Sequence, residues 1–220
     1  MRNVPPHAAH LASRTQRKRT SRIAPTQLNH LTEHLVEKEK GARNAMNYPQ
    51  PAAIRADDLL RHLQDLRSGT YEGAHNRRAK EELYRRGIEL LTPVAVALLE
   101  EANVIFLQQT GEIQVIGPED DGSGGLETRY ELSWPEQRAA QVTRGPREPL
   151  QPVRIVVNYA QGFLHPHLAG STAGFWPFQV RSPADAERQK GILAAIIELE
   201  LHQRIFETDW HILPISQQLA

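Results

Sequence analysis

The sequence contains no cysteine. That absence removes disulfides, thiolate metal sites, iron–sulfur clusters and any cysteine nucleophile together. It fits a reducing cytosol, so a cytoplasmic location is the expectation. Long apolar runs are missing as well: none approaches the ~20 residues needed to span a bilayer. The N-terminus lacks the uninterrupted apolar stretch of a secretory signal, and no membrane association is expected. Aromatic residues make up only 6% of the chain, so the core has to be built from Leu, Ile, Val and Ala. Net charge is lacking too. The 26 basic and 26 acidic side chains cancel, and bulk charge draws the chain neither to nucleic acid nor to a lipid surface.

What is present sorts into three regions over 220 residues, a length that fits one ordinary domain with an appendage or two small ones. Residues 1–25 hold Arg2, Arg14, Arg17, Lys18, Arg19 and Arg22 with no acidic residue among them. Lacking apolar periodicity and interrupted by prolines, this block reads as a disordered basic tail. A solvated terminus is the plain reading of it; contact with an anionic polymer, nucleic acid included, is the functional one. Residues 26–102 read as helical. Leu28, Leu31, Leu35 and Val36 form one stripe, and Leu59, Leu60, Leu63 and Leu66 form another on a helix over 54–67 that Gly69 stops. That second stripe is expected on the buried side. A third helix runs from about Ala74 to Leu91, where Thr92-Pro93 either closes it or caps a further short helix.

The texture changes at Asn103. Val104–Leu107 and Ile113–Ile116 flank Gln109-Thr110-Gly111 and predict a hairpin. A Gly-rich turn over 117–125 follows, then a strand from Leu126 to Trp134 stopped by Pro135, and a fourth from Val153 to Tyr159. Ser182, Pro183 and Asp185 supply the N-cap, first position and acidic first turn of a closing helix that reaches about Phe206. Asp209–Ile215 is either a short strand or an extended tail. The expected fold class is α+β: N-terminal helices, a four-stranded antiparallel meander, and a C-terminal helix.

The chemistry-bearing stretch is Leu164-His165-Pro166-His167-Leu168, followed by a small-residue loop from Ala169 to Gly174 and by Trp176-Pro177. Two imidazoles two positions apart share one face of an extended segment, a workable metal spacing. Glu198, His202 or His211 would have to provide a third ligand. The plainer reading is that Pro166 fixes a turn whose imidazoles bond to backbone groups of the 169–174 loop. Elsewhere, His30 and His34 lie at i, i+4 without a third ligand, and Glu127 and Glu131 share a strand face. The turn over 122–125 is no phosphate loop, because neither a lysine nor a helix follows it. Trp134, Trp176 and Trp210 read as core or edge anchors.

Taken in order, residues 104–206 resemble the core of a ubiquitin-conjugating enzyme. Gly117-Pro118 with the turn to Gly125 resembles that family's Gly-Pro turn and the Gly-Gly before its next strand. Leu132–Pro135 resembles the strand ending in an aromatic-Pro pair, and Pro152-Val153-Arg154-Ile155 the family's Pro-Pro-x-Val strand. His165-Pro166-His167 resembles the His-Pro-Asn motif, and Trp176-Pro177 the Trp-x-Pro before the last helix. The resemblance implies a meander with the motif at its rim, and partners that are ubiquitin-like or activating-enzyme-like proteins. The departure is decisive for chemistry. Thioester transfer needs a thiolate, and there is none; Ser171 and Thr172 would be poor acceptors with no base evident beside them. His167 stands where the family has the Asn associated with its oxyanion. The resemblance therefore implies a catalytically dead relative, an adaptor that binds a protein partner without a cofactor through Phe163, His165, His167 and Trp176. The competing expectation is a metal-dependent hydrolase or oxygenase, with a divalent ion on His165, His167 and His202.

Overall fold

The computed structural model describes residues 56–171 and 174–218. The basic tail, the stripe at 28–36, His30 and His34, and Thr172 lie outside the described residues. The described chain runs α1 (Ala56–Ser68), α2 (Arg77–Leu107), β1 (Glu112–Asp120), β2 (Leu126–Ser133), α3 (Pro135–Ala139), β3 (Val153–Tyr159), β4 (His167–Gly170), β5 (Phe175–Pro177), α4 (Pro183–Arg188) and α5 (Lys190–Glu207), then two 3-10 turns. Helices, an antiparallel sheet and closing helices make the fold α+β.

The sheet has five strands, each paired antiparallel to the next in chain order. Three of the four expected strands are present. The fourth, Val104–Leu107, is the last turn of α2 instead. A helix already formed gains one hydrogen bond for each residue added, which outweighs the weak strand preference of a Val-Ile pair. Leu107 is fully buried there, and Gln108 ends the helix in the left-handed region at φ 53°. Pro93 does not stop α2 either; Thr92 Oγ1 donates to the Ile88 carbonyl at 2.8 Å beside it. The two additional strands, β4 and β5, come from the segment expected to be loop.

Burial alternates without a break along β2 and β3, which gives the sheet one dry face and one wet one. Tyr130, Leu132, Val153, Ile155 and Val157 face inward and pack with Tyr84, Ile88, Leu91 and Leu99 of α2 and Leu193 and Ile196 of α5. Tyr84 Oη donates to the Val157 carbonyl at 2.9 Å and meets Thr128 Oγ1 at 2.9 Å, tying α2 to two strands at once. On the wet face, Arg129 and Arg154 run between Glu119, Glu127 and Glu131, so the carboxylate pair at 127 and 131 is part of a surface ion ladder. By length and composition α2 is the one helix among the described residues long and apolar enough to cross a membrane; here its apolar inner side lies against the sheet.

Local signals explain the ends of elements. Asn76 Oδ1 accepts from Ala79 N at 2.9 Å, and Ser182 Oγ from Asp185 N at 3.2 Å, both N-caps as their residue types favour. The closing helix is broken at Gln189 into α4 and α5. Asp209–Ile215, expected as a short strand or an extended tail, instead enters two 3-10 turns, Trp210–Ile212 and Pro214–Gln218. Ile212 packs inward there, and its carbonyl accepts from Trp134 Nε1 at 2.6 Å. Gly117 sits at φ +96° where β1 bulges, and a Cβ there would meet the Glu127 carbonyl oxygen at 2.4 Å; only glycine fits.

Candidate functional site

The His-Pro-His segment joins β3 to β4 at the sheet's rim. Gly162 turns the chain at φ +85°, and Phe163 N closes the turn on the Ala160 carbonyl at 3.2 Å. Lys80 of α2, only 4% exposed, donates from Nζ to the carbonyls of Leu164 and Gly69, each at 2.9 Å. That one ammonium pins the segment to α2 and to the turn after α1. Burial lowers its pKa. On the far side, Phe178 N donates to the Pro166 carbonyl at 3.1 Å.

The two imidazoles meet each other, with ring centroids 4.8 Å apart. A third imidazole completes the group: His62 of α1 lies edge-on to His165 at 4.2 Å. Nδ1 of His165 and Nδ1 of His167 are both buried without a hydrogen-bond partner. Asn158, opposite His167 in the β3–β4 register, has its Oδ1 in the same condition. Burial pushes His165 down to about 4, and the nearby His62 and His167 rings lower it further, with the Pro166 carbonyl and Asp65 opposing weakly. His167 and His62 are lowered too, burial again being the first cause. All three rings are therefore neutral at pH 7.

Around this polar knot lies an apolar rim. Phe163 stands edge-on to His167 at 5.2 Å and Phe175 of β5 at 5.9 Å. Phe163 is 45% exposed, Leu164 45% and Phe175 69%. Trp176 is half-buried, pairs in register with Leu168, and packs against the core. Of the residues expected from sequence, Phe163, His165 and His167 come together; Trp176 supports the strand beside them. Trp134 is fully buried, whereas Trp210 is exposed and stacks on His211. Two members were missed. Phe175 carries no motif, and His62 lies on the polar side of α1, whose sequence pattern points away from any site.

The metal set is not assembled. His202 is exposed on α5, Glu198 is exposed, and His211 is exposed and bonded to Asp209. Among the described residues no three His, Asp or Glu side chains are grouped to hold an ion. Beside Ser171, where the sequence made no base evident, stands the carboxylate of Glu200. Ser171 Oγ donates to Glu200, and Arg204 Nη2 donates to Ser171 Oγ at 3.0 Å and to Glu200 Oε2 at 2.9 Å. Glu200 further accepts from Ser171 N at 3.0 Å and Arg154 N at 3.4 Å. A carboxylate so fully engaged anchors β4 and β3 to α5.

No protein-family model matches the chain, and neither a curated protein nor a solved structure matches it.

Proposed function

We propose that the chain is a non-catalytic protein-binding module, built like a ubiquitin-conjugating enzyme without its cysteine, which serves as an adaptor for a ubiquitin-like or activating-enzyme-like partner. The binding surface is Phe163, His165, His167 and Trp176, extended by Leu164 and Phe175. The observation that carries the reading is the rim itself: two exposed phenylalanines edge-on to a neutral, partly buried histidine. Exposed aromatic side chains are enriched at protein interfaces, where they serve as anchors. The element order supports the kinship: a long helix, an antiparallel meander with a Gly-Pro bulge, Trp134-Pro135 at a strand end, the His-Pro-His bend at the rim, and a helix after Trp176-Pro177.

The absence of a thiol sets the chemistry. With no thiolate, and with Ser171 held in the Glu200–Arg204 network, the module binds without accepting an acyl group. Titration calorimetry with ubiquitin, ubiquitin-like proteins and an activating enzyme tests this. Saturable binding that falls at least ~10-fold in Phe163→Ala and Phe175→Ala is expected. An adduct formed in the presence of ATP and activating enzyme, sensitive to hydroxylamine and lost in Ser171→Ala, would refute the non-catalytic part. Binding to none of the probes would refute the partner class.

A further inference from the structure

Helix α1 is held on the protein by its polar side. Of its 13 residues only Asp65 is buried. Arg61 Nη2 donates to the Gln179 carbonyl at 3.1 Å, Arg61 Nη1 lies 3.8 Å from Asp185, and Arg188 of α4 lies 3.8 Å from Asp58. Ion pairs this long and this open to water contribute little. With no apolar side chain of the helix buried, the edge-on contact of His62 with His165, at 4.2 Å between ring centroids, has a large share in seating α1 on the His-Pro-His bend.

That contact makes the helix one member of a row of three imidazoles, His62, His165 and His167, with the last two 4.8 Å apart. Nδ1 of His165 and Nδ1 of His167 are buried without a hydrogen-bond partner. The carboxylate that acts on the row, Asp65 of α1, is already engaged by Thr70 Oγ1 at 2.6 Å and Glu72 N at 2.9 Å. It opposes the effect of burial on His62 and His165 only as a lesser cause. From α2, Lys80 Nζ brings a cation to the Leu164 carbonyl beside His165. In the turn after α1, Glu72 is paired with Arg61 at 3.5 Å and Arg181 at 3.1 Å. The neighbour from β3 is the uncharged Asn158, and the one from β5 is Phe175. A proton added to this row therefore sets a charge against neighbouring rings and a lysine, in a place poor in water.

We propose that the imidazole row is an acid-sensitive latch: at neutral pH the uncharged rings hold α1 on the His-Pro-His bend, and acid charges the row and releases the helix. Docked, His165 is held at about 4; released from α1 it returns toward 6.5. The latch is thus fully closed above 6.5 and weakens as the pH falls toward 4. His165 alone favours release by up to roughly 30-fold at pH 5. His62 and His167, lowered by burial, act in the same direction. Glu72 acts against it, because burial raises its carboxyl above 4.5 and acid relieves that group where it stands. Asp65 and Asp185, both lowered from 3.8, enter only below that value. Release uncovers His165 at the rim used in the adaptor reading, but the latch is tested on the chain alone and needs no partner.

Because the sequence has no cysteine, spin labels go only where thiols are introduced. Leu60→Cys, at a site 63% exposed on α1, and Glu82→Cys, at an exposed site on α2, give one distance to follow by pulsed electron resonance. A single narrow distance is expected at pH 7.5, and a second, broad population at pH 5. His165→Leu should cut that second population at least ~3-fold, and His62→Arg, which fixes a charge in the row, should produce it at pH 7.5. The near-ultraviolet circular dichroism of the buried Trp134 should stay unchanged throughout. A distance unaltered between pH 7.5 and 4.5, a broad population as large in His165→Leu, or opening only together with loss of the Trp134 signal would each overturn the proposal.

Discussion

The two ends of strand β4 treat polar groups in opposite ways. At the C-terminal end, beside Gly170, the buried Glu200–Arg204 pair is satisfied: four donors reach Glu200, and Arg204 also reaches the Gln151 carbonyl at 2.7 Å and the Pro152 carbonyl at 3.0 Å. At the N-terminal end, His165 Nδ1, His167 Nδ1 and Asn158 Oδ1 are buried with no partner. A satisfied network rigidifies a fold, while an unsatisfied buried group costs free energy that packing elsewhere must offset. The first end is therefore architecture. The second end has no such network, and its burial is carried by ring contacts among His62, His165, His167, Phe163 and Phe175.

That contrast can be broken by substitution, and the largest effect falls at the satisfied end. Glu200→Ala leaves the buried Arg204 guanidinium with Glu207, 3.6 Å away, as its remaining carboxylate, and denaturant titration should show a loss of about 3 kcal/mol, the low end for a broken buried pair. A loss below ~1 kcal/mol would mean that water reaches the pair and that the two ends are alike.

Acid should expose the other end. His165 is held at about 4 when folded against 6.5 unfolded, so between these values the unfolded chain binds the extra proton. Its contribution is complete above pH 6.5 and is lost as the pH falls toward 4, on the order of 1–3 kcal/mol. Asp65 and Asp185, both lowered from 3.8, act in a separate window: their stabilisation is present above that value and disappears only below it. Stability measured from pH 7.5 to 4.5 should thus fall less steeply in His165→Leu, with His62 and His167, both lowered from 6.5 by burial, supplying the slope that remains; an unchanged slope would remove the His165 imidazole from the account.

Smaller effects sharpen the comparison. At pH 7.5 Ser171→Ala should cost about 1 kcal/mol by removing a hydroxyl from the Glu200 network, whereas His165→Leu should leave stability level or raise it by about 1 kcal/mol. Opposite signs in thermal melts are the outcome to look for. Phe163→Ala, at an exposed position, should change stability by no more than ~0.5 kcal/mol while weakening the proposed partner binding at least ~10-fold.

Much of the frame was legible in the sequence. The β2 and β3 segments alternate cleanly, and Ser182 and Gly69 mark helix ends by mechanisms that work locally. What was illegible depends on distant groups. Val104 and Ile105 look like strand residues, and only the length of α2 behind them and the burial of Leu107 ahead make them helical. The leucines of α1 predict a buried stripe, yet that helix meets the rest of the protein through Arg61 to the Gln179 carbonyl and His62 against His165, and such polar contacts leave no periodic trace. The same cause hid His62. The motif found His165 and His167, but their partner imidazole arrives from residues a hundred positions earlier by the docking of a helix that the pattern faces the other way. The strand at β4 went unseen because the Ala-Gly-rich sequence has little strand preference of its own and is fixed by pairing with β3.

The most direct test is a nuclear magnetic resonance titration of isotope-labelled chain with ubiquitin or a ubiquitin-like protein. The account predicts that backbone signals of 163–167 and 175–176 shift together and saturate, with 190–207 unmoved. Saturable shifts centred on the far end of β4 or on the wet face of the sheet, with Phe163 and Phe175 silent, would contradict it.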